Sequence, residues 1–257
     1  MNLITKIVIP AAGLGTRFYP TTKIIPKELL PVLNVPAIQH IANEAIRSGI
    51  QDLIIINSRN KPLLSEWIFQ FNREHNTNGI SASELIQESP LGLGHAILQS
   101  QTLVGDEVFG VMLPDDIIFS YPPALKQMID LYQESRSSVL CVKKTPTNLL
   151  SNYGVIKSDG DRITGIVEKP EPHKAPSNFC ALGRYILEPE IFNYLQTAKP
   201  TVNKEIQLTD SLNLMMEHQD FYKHIVQGNH FDIGTPPGLL SASMFASQNP
   251  NLVSGQY

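Results

Sequence analysis

Six residues within a stretch of fifteen carry the first sign of chemistry: Gly13, Gly15, Thr16, Arg17, Lys23 and Lys27. They follow the apolar run Ile7-Val8-Ile9-Pro10 through Ala11 and Ala12, as a strand would deliver a glycine-rich loop. Glycine lets the chain turn sharply and approach a ligand closely. Successive backbone N–H groups in such a turn form an anion-binding concavity, and Arg and Lys add full positive charge. A nucleoside triphosphate fits this combination; a tight turn with solvated basic residues is the plainer alternative. The spacing is neither Gly-x-x-x-x-Gly-Lys-Ser/Thr nor Gly-x-Gly-x-x-Gly.

Three other groups are chemically able. Gln87, in Gln87-Glu88-Ser89-Pro90-Leu91-Gly92-Leu93-Gly94-His95-Ala96, offers a donor and an acceptor that can match a pyrimidine edge. A surface turn followed by a helix start also accounts for this segment. Leu113-Pro114-Asp115-Asp116 ends an apolar run with two carboxylates, which an extended backbone points to opposite sides. Glu168-Lys169-Pro170, with Tyr153-Gly154 and Leu182-Gly183-Arg184-Tyr185, forms the last group, and an exposed turn would explain Glu168-Lys169 equally well. Activated nucleophiles and zinc spacings are missing: there is no Gly-x-Ser-x-Gly and no CxxC.

The elements that must hold these residues alternate. Leu53-Ile54-Ile55-Ile56 and 108–113 read as buried strands of a parallel sheet. Ile38, Ile41, Ala42, Ala45 and Ile46 make one helical stripe between Pro36 and Gly49. Further helices are expected over 61–74 and after Gly94. The β-α-β-α order implies an α/β, doubly wound, mostly parallel sheet with helices on both faces. Its ligands would sit beyond the carboxyl ends of the strands, at the glycine loop and Asp115. A hairpin, 152–156 with 162–167, turns at Ser158-Asp159-Gly160-Asp161. Residues 171–178 read as an extended loop, and helical stripes return at 189–195, 208–216 and 237–245.

The loop and its continuation, Gly-x-Gly-Thr-Arg and then Pro26-Lys27-Glu28-Leu29-Leu30-Pro31, resemble the signature of the sugar-1-phosphate nucleotidylyltransferases. The spelling is nearest to the bacterial UTP–glucose-1-phosphate uridylyltransferases, and Glu205-Ile206-Gln207-Leu208-Thr209-Asp210 is similar to theirs too. The resemblance implies a Rossmann-like nucleotidyltransferase sheet with small hairpin insertions and direct, Mg²⁺-assisted transfer from UTP to glucose 1-phosphate. It assigns nucleotide binding to Ala11, Ala12, Gly13, Gly15, Thr16, Gln87 and Gly92. Arg17, Lys27 and Lys169 take catalytic charge, and Gly154, Glu168, Lys169 and Gly183 the sugar phosphate. Asp115 and Asp232 take the metal, which two carboxylates with phosphate oxygens and waters suit. Asp116 reads as a helper or surface residue, and His95 as a packing or helix-start residue. Capping of a helix by Thr209 or Asp210 explains part of the 205–210 motif.

Gln-x-Ser-Pro-x-Gly-Leu and Phe231-Asp232-Ile233-Gly234-Thr235-Pro236 look closer to the glucose-1-phosphate thymidylyltransferases, which use dTTP. A catalytically silent sugar-nucleotide sensor is the reading from another class; such a protein would lose Thr16, Arg17 or the carboxylates, and all are present. Composition fits one soluble domain over 1–257, with 1–120 mainly nucleotide-binding and 121–257 mainly sugar-phosphate-binding. Hydrophobic residues are 42% and the formal charge −4, which argues against nucleic acid held by general phosphate attraction. No apolar run reaches membrane-spanning length. Cys141 and Cys180 fit buried free thiols in a reducing, cytoplasmic compartment. The family implies a homo-oligomer, dimer or tetramer.

Overall fold

The computed structural model describes residues 4–200 and 204–254. The chain opens with β1 (Lys6–Pro10), the ribbon β2 (Pro31–Val32) and β3 (Val35–Pro36), α1 (Ala37–Arg47), β4 (Asp52–Asn57), α2 (Pro62–His75) and β5 (Ser81–Ile86). There follow α3 (Leu93–Leu98), α4 (Gln101–Val104), β6 (Phe109–Met112), β7 (Asp116–Phe119), α5 (Ala124–Ser135) and β8 (Ser138–Lys144). The remainder is β9 (Gly154–Asp159), β10 (Arg162–Glu168), β11 (Phe179–Leu187), α6 (Ile191–Thr197), α7 (Leu208–Met216), β12 (Phe221–Ile225), β13 (Asn229–Asp232), α8 (Pro236–Gln248) and α9 (Pro250–Ser254).

Apolar runs become strands here because both sheet faces are covered. In β1, Ile7 and Ile9 join one core and Val8 the other; in β4, Leu53 and Ile55 part from Ile54 and Ile56 in the same way. Alternation along a strand sends successive side chains to opposite faces, so a two-faced sheet needs unbroken hydrophobicity. Helices α1, α2, α5 and α8 fill the first core, and α3, α6 and α7 the second. Of the stripe expected on α1, Ile38, Ile41, Ala42 and Ala45 are buried in the first core and Ile46 is half-buried against it.

Among the described residues, the main sheet's nine strands run in the order β5-β4-β1-β6-β11-β8-β12-β10-β9. The β5-β4-β1-β6 half is parallel. Beyond it the sheet is mixed rather than mostly parallel: β11 runs against both β6 and β8, β12 is parallel to β8, and β10 opposes β12 and β9. The β9–β10 hairpin intervenes between β8 and β11, so β11 can return antiparallel without a crossover helix. Strand direction leaves no mark on hydrophobic periodicity, which is why the sequence reads as more parallel than the sheet is. Residues 171–178 hold a short 3-10 turn at Pro172–Lys174 within an otherwise irregular stretch.

Two local features set up the functional surface. β7 and β13 form a separate antiparallel ribbon in which Asp116 lies directly opposite Asp232, and Ile233 donates its N–H to Asp115 O at 2.8 Å. β11 slips register between Ala181 and Tyr185, the span that holds Gly183. A Cβ at Gly183 would fall 2.4 Å from Asp116 Oδ2, so only glycine fits there. Among the described residues, no helix is long and apolar enough to cross a membrane.

Candidate active site

The glycine loop, Gln87 and Asp115 all emerge from the carboxyl ends of the parallel strands β1, β5 and β6, where an open α/β sheet presents its ligand crevice. Gly15 adopts a left-handed conformation (φ 66°), and a Cβ there would press to 3.3 Å from Lys27 Cβ. The backbone N–H groups of Ala12, Gly13, Leu14 and Gly15 donate to no acceptor among the described residues. Consecutive open donors beside a lysine are what a polyphosphate needs. They face a cleft of about 470 Å³ that is also lined by Thr16, Lys27, Gln87, Gly92 and Asp115.

Ala11 does not line that cleft. It is fully buried, its N–H donates to Ile56 O and its carbonyl accepts from Lys61 Nζ at 2.6 Å, so it anchors the loop from behind. Arg17 lines neither cleft wall. Its Nη1 instead comes within 3.4 Å of the position a Cβ would take on Gly234, beside Asp232.

Gln87 follows the last residue of β5, and its Nε2 donates to Gly92 O at 3.2 Å. His95 is more than a helix-start residue, since its Nδ1 lies 2.9 Å from the same Nε2. The 205–210 motif closes this cleft from above. Gly94 N–H donates to Ile206 O at 2.9 Å and Ile206 N–H to Leu91 O at 2.7 Å, as in a short bridge. Gln207, within that motif, lines both this cleft and the next. Neither Thr209 nor Asp210 caps α7, which begins after Gln207 without a side-chain cap; the Thr209 hydroxyl donates to Glu168 Oε2 at 3.2 Å.

A second cleft, about 230 Å³, shares Leu93, Leu113, Asp115 and Gln207 with the first. Gly154, Glu168, Lys169, Gly183 and Asp232 line it, so the residues read separately as sugar-binding and metal-binding converge. Glu168 pairs across the hairpin with Gly154. Lys169 takes a positive φ of 44°, rare for a residue with a side chain, and its Nζ stands 3.7 Å from Glu168 Oε1.

The carboxylates sit where the clefts meet. Asp115 Oδ2 accepts from Lys27 Nζ at 2.5 Å. A Cβ at Gly234 would lie 3.0 Å from Asp232 Oδ1 and 3.2 Å from Asp115 Oδ2, so the two carboxylates face one small volume. Burial, followed by the charge of Asp116, pushes the Asp232 carboxyl above its ordinary range; the Gly234 N–H opposes this and Asp115 adds to it. Repelling carboxylates at a shared point fit a hard divalent cation. No group of three or more His, Cys, Asp or Glu among the described residues forms a protein-only cage, so further oxygens must come from ligand or water.

Asp116 is half-buried and fully engaged by hydrogen bonds, as a helper would be. Its Oδ1 accepts from His230 Nε2 at 2.5 Å and its Oδ2 from Gly183 N–H at 2.8 Å, while Lys143 Nζ donates to His230 Nδ1 at 2.8 Å. Burial alone would raise the Asp116 carboxyl; the His230 hydrogen bond, with the charge of Arg184 and the Gly183 N–H, outweighs it and holds it below the usual range. Arg184, fully buried, pairs with Glu44 at 2.9 Å and donates to the carbonyls of Leu113, Gly183 and Asp116, pinning the turn that presents Asp115.

A second buried pair supports the glycine loop. Lys61 Nζ contacts Glu28 Oε1 and Oε2 at 3.0 and 2.9 Å and ties both to Ala11. Burial raises the Glu28 carboxyl and lowers the Lys61 ammonium, each partly offset by the other's charge. Removing one partner strands the other, so Lys61→Met is expected to cost about 3–5 kcal/mol of stability. Urea unfolding checks this; Lys61→Met with Glu28→Gln should recover much of the loss, and an unchanged midpoint in the single variant would contradict it.

The Nucleotidyl transferase family profile matches residues 6–249. The chain belongs to the nucleotidyl transferase family. Among the relatives of this nucleotidyl transferase, the UTP–glucose-1-phosphate uridylyltransferase of Staphylococcus epidermidis is 38% identical, with 98% of this chain and 96% of the relative aligned. A crystal structure of UDP-glucose pyrophosphorylase complexed with UDP-glucose superposes with a TM-score of 0.88 at 37% identity, covering 96% of this chain and 99% of that one. The UTP-bound enzyme of Acinetobacter baumannii gives 0.86 at 32% identity, covering 98% and 96%. The nucleotidyl transferase fold therefore spans nearly the whole chain.

Proposed function

We propose that this nucleotidyl transferase transfers a uridylyl group from UTP to glucose 1-phosphate, releasing pyrophosphate and forming UDP-glucose. The observation that carries the reading is the pair of clefts joined at Leu113, Asp115 and Gln207. One offers open backbone donors, Lys27 and Gln87; the other offers Glu168 and Lys169. Relatives with this name, similar over almost the full length, support the substrate pair.

An oxygen of the sugar phosphate attacks the α-phosphorus of UTP as the bond from that phosphorus to the α,β-bridging oxygen breaks. No protein nucleophile is needed, so the protein positions two polyanions and offsets their repulsion. The loop from Ala12 to Thr16 and Lys27 hold the triphosphate, with Arg17 adding charge from the Gly234 side. Gly154 and Gly183 admit the sugar, Glu168 accepts from its hydroxyls and Lys169 holds the attacking phosphate. Asp115 and Asp232 would hold Mg²⁺, which supplies charge neutralisation at the phosphates when bound. The chain forms one domain, its nucleotide half at 1–120 and its sugar half at 121–257; the shared core from Ile4 to Ala246 supports this. We place the enzyme in the cytoplasm as a homo-oligomer; the buried free thiols Cys141 and Cys180 support the compartment.

A panel of UTP, dTTP, CTP and ATP against glucose 1-phosphate, read as pyrophosphate release, tests the assignment. UTP is expected to be preferred, with dTTP used measurably, because a single methyl is worth only about 1–3 kcal/mol in a pocket. The thymidylyl-like spelling of 87–93 favours that leakage. A higher kcat/KM with dTTP would move the chain to thymidylyl transfer with the same mechanism, and no release with any triphosphate would refute both.

A further inference from the structure

His95 is absorbed by none of the roles above, although it touches the residue that reads the base. A primary amide has two N–H donors and one acceptor oxygen. In Gln87 both donors are spent: Nε2 donates to Gly92 O at 3.2 Å and faces His95 Nδ1 at 2.9 Å. Turning the amide over would set its oxygen against the Gly92 carbonyl, two acceptors in contact, so the Gly92 bond fixes which end is nitrogen. Nδ1 of His95 must then accept, and the imidazole carries its proton on Nε2. Gln99 holds its amide nitrogen 3.3 Å from both His95 Nε2 and the His95 carbonyl. The 2.9 Å contact at Nδ1 is the shorter, so Gln99 is the amide that gives up its carbonyl contact and turns its oxygen to accept that proton. Burial lowers the His95 pKa and so favours the neutral ring that this arrangement requires.

The oxygen of Gln87 is left over. Oε1 accepts no bond from the described residues and is not among the buried unpartnered atoms, so it keeps some exposure. Gln87 lines both the nucleotide cleft and an adjoining hollow beside Ser58 and Arg59. We propose that His95 is a positioning residue for base selection: with Gly92 it locks Gln87 as an acceptor-only reader. A base must then bring a ring N–H to Oε1. Uracil and thymine carry one at N3, whereas N3 of cytosine is an acceptor and meets Oε1 lone pair to lone pair. The inference rests on the uridylyl-transfer reading for the occupant of the cleft.

The test is the ratio of kcat/KM for CTP to that for UTP in wild type, His95→Ala and His95→Asn. In His95→Ala the cost of turning the Gln87 amide falls by the His95 hydrogen bond, although the Gly92 carbonyl still resists the turn. The ratio is expected to rise about tenfold, the worth of one buried hydrogen bond. KM for glucose 1-phosphate should not move. Asparagine can return an amide oxygen to the place of Nδ1, so His95→Asn should restore the wild-type ratio. A folded His95→Ala with an unchanged ratio, or a His95→Asn no better than alanine, overturns the proposal. Calorimetric titration of the wild-type protein with UTP and CTP stands even if the alanine variant fails to fold. Tighter binding of UTP supports the proposal and equal binding overturns it. Wild type that binds UTP over CTP yet releases no pyrophosphate would instead sink the reaction and leave base selection standing.

Discussion

Lys27→Ala is expected to lower turnover about 10²–10³-fold with the fold retained, the usual range for removing one preorganised charged donor from a transition state. Lys27 is the cation at the meeting point of the two clefts. It lines the nucleotide cleft, its side chain is only 19% exposed, and its Nζ sits 2.5 Å from Asp115 Oδ2. Burial alone would lower its pKa, but the charges of Asp115 and Glu28 more than reverse this, so it stays protonated. In a site shielded from water such a charge acts with little screening. Alanine would remove the neutralisation of Asp115 together with the contact to the phosphates proposed above. Arg17 is exposed, and Arg17→Ala should cost turnover as well, by a smaller factor. Steady-state pyrophosphate release beside a thermal melt separates turnover from folding. Near-wild-type release by folded Lys27→Ala would remove Lys27 from the mechanism.

Sequence made the parts of this site legible where the chemistry is local. The glycine loop and Asp115 each follow an apolar run in the sequence, and with Lys27 and Gln87 they line the nucleotide cleft. Gly154, Glu168, Lys169 and Gly183 were readable as motifs, though only folding shows them facing one volume with Asp232. The supporting pairs left no local signal. Glu28 and Lys61 are 33 residues apart, Asp116 and His230 114, Glu44 and Arg184 140. Burial is what makes each pair necessary, and a charged residue shows no sign of it in the sequence. Strands such as β5, Ser-Ala-Ser-Glu-Leu-Ile at the sheet edge, lack the continuous apolar run that marks β1 and β4. His95 is a subtler case, because its position beside Gln87 depends on α3 starting at Leu93.

Withdrawal of divalent metal should abolish pyrophosphate release, and the two carboxylates should divide that effect between them. Asp115 and Asp232 come from distant segments and are brought together by the β7–β13 ribbon, which sets Asp116 opposite Asp232 and bonds Ile233 to Asp115. Without a cation, Asp232 suffers the charge of both Asp116 and Asp115. A bound Mg²⁺ would turn that repulsion into attraction, and it prefers hard oxygen ligands with phosphate and water completing its shell. Asp232→Asn and Asp115→Asn should each raise the Mg²⁺ concentration for half-maximal activity by at least about tenfold, no less than the loss of an outer-shell partner. In EDTA, Asp232→Asn should melt no lower than wild type, because the substitution removes a repelled charge. A variant that was merely structural would melt lower with or without metal. Asp115→Asn should behave differently in that melt, since it also deprives Lys27 of its partner. Measuring Mg²⁺ activation curves and melts in EDTA for the same three proteins separates these contributions, and full wild-type activity in EDTA would exclude the site.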